Sequence, residues 1–219
     1  MPRAGNGQHP GRAPGDGAAA QVISAVDRWR SGRAAVLVVA IDGHGAAGKS
    51  TIADAVAAAT GAALVHTDDF FRSPPGLDGG GGQGTVAGGQ ALARYYDWRR
   101  LRAEALVPLR AGRGAAFRRF DWARGHGLDG PVRVAPGPLI LVEGVFSAAA
   151  ELSDLVDRSV LVDTPEPERL RRLRRRIAPE EWDDDWLIAE LAYFGQARPP
   201  ASFDLVVPGT NPPAQVSAR

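Results

Sequence analysis

Residues 34–42, AAVLVVAID, form a continuous apolar run that passes directly into GHGAAGKST, after which the pattern turns helical to about Thr60 and stops at Gly61. An unbroken β-branched run of this kind suits a strand buried on both faces of a parallel sheet. Between strand and helix, Gly43-His44-Gly45-Ala46-Ala47-Gly48-Lys49-Ser50 fits the spacing G-x-x-x-x-G-K-[ST]. The glycines let the backbone fold tightly enough for successive N–H groups, through Ser50 and Thr51, to face a phosphate, and the helix N-terminus adds partial positive charge. A glycine-rich turn with a chance Gly-Lys is the bland alternative. Lys49 is the only lysine among 26 basic residues. A compact ammonium reaches the β- and γ-phosphates where a broad, planar guanidinium performs poorly, which explains why arginine did not replace this one. Ser50 is then expected to place its hydroxyl on Mg²⁺.

Four further apolar stretches read as strands: ALVHT (63–67), PLILVEGV (138–145), RSVLVDT (158–164) and FDLVVP (203–208). Helical patterns lie among them: Val22, Ile23, Val26 and Trp29 ahead of Gly32; Gln90 to Ala111, with Leu92, Leu101, Leu106 and Leu109 as core residues; Glu166 to Ile177; and about Glu180 to Phe194. Five short strands alternating with helices predict an α/β three-layer sandwich, a five-stranded parallel sheet with helices on both faces. SPPGLDGGGGQGTVAGG, residues 73–89, is too rich in glycine for helix or strand and reads as a long mobile loop. The Gly/Pro-rich first 18 residues read as a disordered tail without the apolar centre of a signal peptide. Residues 19–208 then form one domain with a small lid at about 165–180, and 209–219 a flexible C-terminal tail.

Composition narrows the function. The 219-residue chain has no cysteine, which excludes thiol catalysis, disulfide frameworks and zinc–thiolate clusters and permits a reducing cytoplasmic setting. A formal charge of +1 lacks the global basic field of a dedicated nucleic-acid binder, and the longest apolar runs fall far short of a membrane span. His44, His66 and His126 show no metal-ligand spacing. The expectation is a cytoplasmic protein with a small-molecule partner and neither nucleic acid nor membrane.

Acids at strand ends carry the next signal. VHTDDFF puts Asp68 and Asp69 at the C-terminal end of the second strand, where open α/β sheets collect their active sites. An Asp there accepts the proton of an attacking hydroxyl, although an adjacent pair of carboxylates also simply caps turns. Glu143 ends LILVE in the same manner and ranks above Asp163, at the end of RSVLVD, as the acid that holds Mg²⁺ directly or through water.

GHGAAGKST, HTDDFFR, RYYDWRRL, RRFDW, LILVEGV and an Arg-rich run after VDT occur in the order seen in the uridine kinase-like branch of P-loop kinases, which includes nicotinamide riboside kinases. The resemblance spans about Val36 to Val207. It implies that Asp68 is the base that activates the acceptor hydroxyl, with Asp69 and Phe71 beside the substrate. It also implies that Asp97 grips ribose hydroxyls and that Phe120 and Trp122 face the base; a helix N-cap and core packing are the respective alternatives. Phe120 stands where uridine kinases usually carry tyrosine. ERLRRLRRRI holds six arginines in eight residues, a solvated helix face, a basic patch or, by the resemblance, a lid whose Arg172 and Arg176 close on the transferring phosphoryl group. The sequence therefore predicts an ATP- and Mg²⁺-dependent phosphotransferase acting on a nucleoside-like hydroxyl. A kinase for another hydroxyl (a sugar, a vitamin precursor or an antibiotic) and a nucleotide-dependent regulatory ATPase are the alternatives.

Overall fold

The computed structural model describes residues 16–72, 95–176 and 184–210. Helix α1 (Asp16–Arg30) leads into β1 (Leu37–Asp42), which is buried at every position. Alternate side chains of β1 enter two different cores. Val38 and Ala40 pack with Val65, Ile140 and Val142, while Leu37, Val39 and Ile41 pack with Val22, Val26, Ile52 and Val56. A strand covered on both faces has no solvent-facing register to fill with polar residues, which is why its sequence is unbroken. Helix α1 starts inside the stretch expected to be tail: residues 16–18 belong to the domain, and Ala18 lies in the second core.

Helix α2 (Lys49–Thr60) starts where the glycine loop ends and closes on Gly61, whose left-handed backbone turns its N–H onto the Ala57 carbonyl. Strand β2 (Ala63–His66) and a 3₁₀ turn over Thr67–Phe70 follow. The helix expected over Gln90 to Ala111 is interrupted at Tyr96 and Asp97, where Tyr96 forms a bridge with Phe71. Asp97 caps α3 (Trp98–Arg100), which continues through a π-helical stretch, Leu101–Leu106, into α4 (Val107–Arg110). Leu101, Leu106 and Leu109 are fully buried as expected, whereas residues 90–94, with Leu92, lie outside the described residues.

Strands β3 (Ala115–Phe120) and β4 (Leu128–Val134) form an antiparallel hairpin absent from the sequence reading. Next come β5 (Leu139–Glu143), β6 (Arg158–Asp163), α5 (Glu166–Leu173), α6 (Asp184–Ala192) with a π turn over Tyr193–Ala197, and β7 (Leu205–Pro208). Helix α5 ends at Leu173, before the expected Ile177, and Arg174 to Arg176 form a turn. The expected loop at 73–89, residues 177–183 with the end of the expected lid, and both chain ends (1–15 and 211–219) lie outside the described residues.

The main sheet has the order β2-β5-β1-β6-β7, with every neighbouring pair parallel. Its register pairs Glu143 with Ile41 on one side and with His66 on the other. The C-terminal ends of β1, β2 and β5 are thereby level, so the glycine loop, Asp68 and Glu143 emerge along one edge. The strand order reverses around central β1, which is where such sheets open a crevice for ligands. Among the described residues no helix is long and apolar enough to cross a membrane.

Candidate active site

The loop after β1 is shaped by two backbone positions that only glycine fills without strain. Gly43 has φ +146° and a Cβ there would run into the Val162 carbonyl; Gly48 has φ +100° and turns the chain into α2. Lys49 is nearly buried, and its Nζ donates to the His44 carbonyl at 2.9 Å, so the ammonium is folded back along the loop it serves. Gly45, Ala46, Gly48, Lys49, Ser50 and Thr51 line a cavity of about 410 Å³. Gly43 and Ala47 lie behind that surface, and the Ala47 carbonyl accepts from Thr164 Oγ1 at 2.8 Å.

The acids separate by position. Ser50 Oγ donates to Glu143 Oε1 at 3.1 Å, and His66 Nδ1 stands 2.8 Å from Glu143 Oε2. Burial pushes the Glu143 carboxyl up, but the His66 hydrogen bond and the Lys49 charge outweigh it and leave the group below its ordinary value. Asp163 is exposed at the C-terminal end of β6, whereas Glu143 touches Ser50 of the loop. Asp68 lines the cavity with its side chain exposed to it, and desolvation by the surrounding protein raises its pKa against the opposing pull of Tyr96, whose hydroxyl donates to Oδ1 at 2.9 Å, and of Lys49. Asp69 turns away, into a separate cavity with His66 and Arg119. Among the described residues no cluster of three or more His, Asp or Glu side chains forms a self-sufficient metal site. The hydroxyl of Ser50 and the carboxylate of Glu143 are hard oxygen donors in contact, and they fit Mg²⁺, which takes few protein ligands and completes its shell with phosphate and water.

Aromatic rings line the same cavity as Asp68. Phe71 and Trp122 line the cavity with ring centroids 4.8 Å apart, and Trp186 of α6 lines it as well. Phe120 is buried and edge-on to Phe71 at 5.2 Å, an arrangement that fits core packing. Asp97 is the helix cap: its Oδ1 accepts the Arg100 N–H at 3.0 Å while Oδ2 lies 3.4 Å from Arg72, and it is outside the cavity lining. The arginines of the expected lid do not share a helical face. Arg172 donates to the carbonyls of Ala46, Ala47 and Gly209 at 3.1–3.3 Å, whereas Arg176, in the turn after α5, lines the cavity. Gly209 accordingly belongs to the fold rather than to the expected tail.

Three residues of the site escaped the sequence reading. Asp42, fully buried, accepts four hydrogen bonds. Tyr96, within RYYDW, donates its hydroxyl to Asp68, and Glu190 of α6 touches the glycine loop from 145 residues away. The sole sequence signal for the last is its position four after Trp186, which places both on one helix face.

No family model and no curated protein sequence matches the chain. Solved structures do. A possible uridine kinase from Bacillus stearothermophilus aligns at 20% identity and TM-score 0.61, over 85% of this chain and 97% of its own. A candidate fructose transport system kinase from a Silicibacter species aligns at 22% and 0.60, over 87% and 98%. D-glycerate 3-kinase from Cryptococcus neoformans aligns at 15% and 0.55, over 88% and 94%. What is shared at such identities is the fold, the P-loop α/β sandwich to which the sequence motifs pointed.

Proposed function

We propose that the chain is an ATP-dependent small-molecule kinase of the cytosol that transfers the γ-phosphoryl group to a hydroxyl of a nucleoside-like acceptor. One observation carries the reading: the Lys49 loop, the Ser50–Glu143 oxygen pair and the carboxyl of Asp68 line a single cavity at the carboxyl edge of the sheet. Lys49 and the loop amides hold the triphosphate. Ser50 and Glu143 would hold Mg²⁺, which when bound would neutralise charge on the phosphate oxygens. Asp68 takes the acceptor proton as the hydroxyl oxygen bonds to the γ-phosphorus, and the bond to the β,γ-bridging oxygen breaks to release ADP. Arg176 brings a delocalised cation to the mouth of the same cavity, where it faces the spreading charge.

The aromatic wall of Phe71, Trp122 and Trp186 favours an acceptor with a flat ring over a sugar or glycerate, since ring faces stack on planar groups and satisfy none of the hydroxyls of a polyol. The test is ADP formation with mass spectrometry of products across nucleosides, nicotinamide riboside, common sugars and glycerate. A ring-bearing ribose compound is expected to stimulate ATP consumption on the order of 10²-fold or more and to gain a phosphoryl group. Acceptor-independent hydrolysis would instead mark a regulatory ATPase, and phosphorylation confined to sugars would overturn the nucleoside-like assignment.

A further inference from the structure

The mechanism above leaves unused the most buried acid that borders the cavity. Glu190 is 2% exposed. Its Oε1 accepts the Gly45 N–H at 2.9 Å and Trp186 Nε1 at 2.7 Å; its Oε2 lies 2.9 Å from His44 Nδ1 and 4.0 Å from Arg169. The approach is close enough that a Cβ on Gly45 would stand 3.1 Å from Oε1. Burial pushes this carboxyl up, but the His44 contact, the Lys49 charge and the Gly45 amide outweigh it and hold the group ionised below its ordinary range.

An anionic oxygen on a main-chain N–H of the glycine loop is the same chemistry that the loop offers a phosphate. Gly45 and Glu190 line one cavity, so a triphosphate entering it meets an amide already engaged and a fixed negative charge beside it. In such a confined site two anions repel strongly, and one N–H serves one of them well. Helix α6 also carries Trp186, whose ring packs against Tyr95, Tyr96 and Phe146 in the acceptor half. Moving the carboxylate therefore changes the surroundings of that ring.

We propose that Glu190 is a phosphate-mimicking latch: it occupies the Gly45 amide until the nucleotide's phosphates displace it, and its release resets the acceptor wall at Trp186. The proposal rests on reading Gly43–Ser50 as a nucleotide phosphate cradle. It makes Glu190 a positioning residue that couples the two halves of the site, since a ligand shifts an element only through its different affinity for the two arrangements.

Calorimetric titration of the full chain with the non-hydrolysable β,γ-imido analogue of ATP tests this. Glu190→Gln keeps the side chain's size and removes its charge, and Glu190→Ala removes the contact. Both are expected to bind the analogue about tenfold or more tightly, because nucleotide no longer competes with a charged acceptor for the amide. Wild-type chain is expected to change its tryptophan emission on nucleotide binding, with the change lost in Trp186→Phe; Glu190→Gln is expected to show the altered emission before nucleotide is added. A carboxylate that merely props the loop predicts the opposite, weaker binding in Glu190→Ala and no Trp186 signal, and either unchanged or weaker binding in Glu190→Gln overturns the latch. Failure of the wild-type chain to bind the analogue at all would overturn the nucleotide reading itself, a distinguishable result.

Discussion

Asp68 is the residue on which the proposed chemistry turns, and its surroundings make a measurable claim. Desolvation by the surrounding protein raises its pKa above the ordinary aspartate value of 3.8, and the Tyr96 hydroxyl and Lys49 oppose that rise. Proton transfer needs the ionised carboxylate, so activity rises with pH through this titration, and the acid limb of log kcat/KM is expected above the ordinary carboxylate position. Tyr96→Phe removes a donor that favours the charged form and is expected to move the limb to still higher pH. Asp68→Asn is expected to lower turnover on the order of 10²-fold. Asp69→Asn, in the separate cavity, is expected to change it by less than about threefold. A dominant effect at Asp69 in steady-state kinetics would transfer the base role to that residue. At this scale the sequence was most legible where candidate site residues sit at a strand end or in a spaced loop: Lys49, Ser50, Asp68 and Glu143, which line one cavity, all follow from local pattern. It was least legible where partners meet across the fold. Asp97 offered a sugar clamp and a cap, and the Arg100 amide shows that it caps the helix.

Elements behaved similarly. Strands β1, β5 and the centre of β6 were readable because burial on both faces writes a continuous apolar run, and the partly covered β2 and β7 because their residues are still mostly apolar. The β3–β4 hairpin was not, because β4 reads LDGPVRV, with Gly130 and Pro131 imitating a loop, and its residues are exposed or half-buried. Helix α5 was overextended for a related reason: arginine is compatible with helix, and nothing local marks the stop after Leu173. That stop changes what Arg172 does. Instead of sharing a face with Arg176, it ties α5 to the glycine loop and to Gly209, with Glu168 Oε1 accepting from its Nε at 2.8 Å. Arg172→Ala removes a charged donor from three carbonyls that hold the loop's shape, so nucleotide affinity is expected to fall about tenfold, measured by titration, while the exposed Arg174→Ala stays within about twofold. A loss of kcat with unchanged affinity would instead return Arg172 to direct contact with the transferring phosphoryl group.

For the molecule as a whole, the site needs three separate segments held in register, and Asp42 is where they meet. Its Oδ1 accepts the N–H groups of Gly43 at 2.7 Å and Phe146 at 2.9 Å, and its Oδ2 accepts Ala148 N–H at 3.0 Å and the Tyr193 hydroxyl at 2.8 Å. These donors belong to the start of the glycine loop, the segment after β5, and the π turn that extends α6. A carboxylate alone among side chains accepts four such bonds with no donor of its own. Its burial raises its pKa in spite of them, so Asp42 on its own weakens the fold as pH rises through the interval between its unfolded and folded values; its contribution lies in the donors it satisfies. Asp42→Ala leaves all four buried and unpaired, and at about 1–3 kcal/mol for each unsatisfied group, partly relieved by relaxation and water, the expected loss is about 3–6 kcal/mol. Asp42→Asn keeps one accepting oxygen and turns an amide donor toward the other two donors, so a loss of about half that size is expected. Urea unfolding measures both through the midpoint at constant slope. Were the midpoint of Asp42→Ala to stay at the wild-type value, the loop, the β5 segment and α6 would have to be held together by their apolar contacts alone, and Glu190 would lose the fixed platform from which it reaches Gly45.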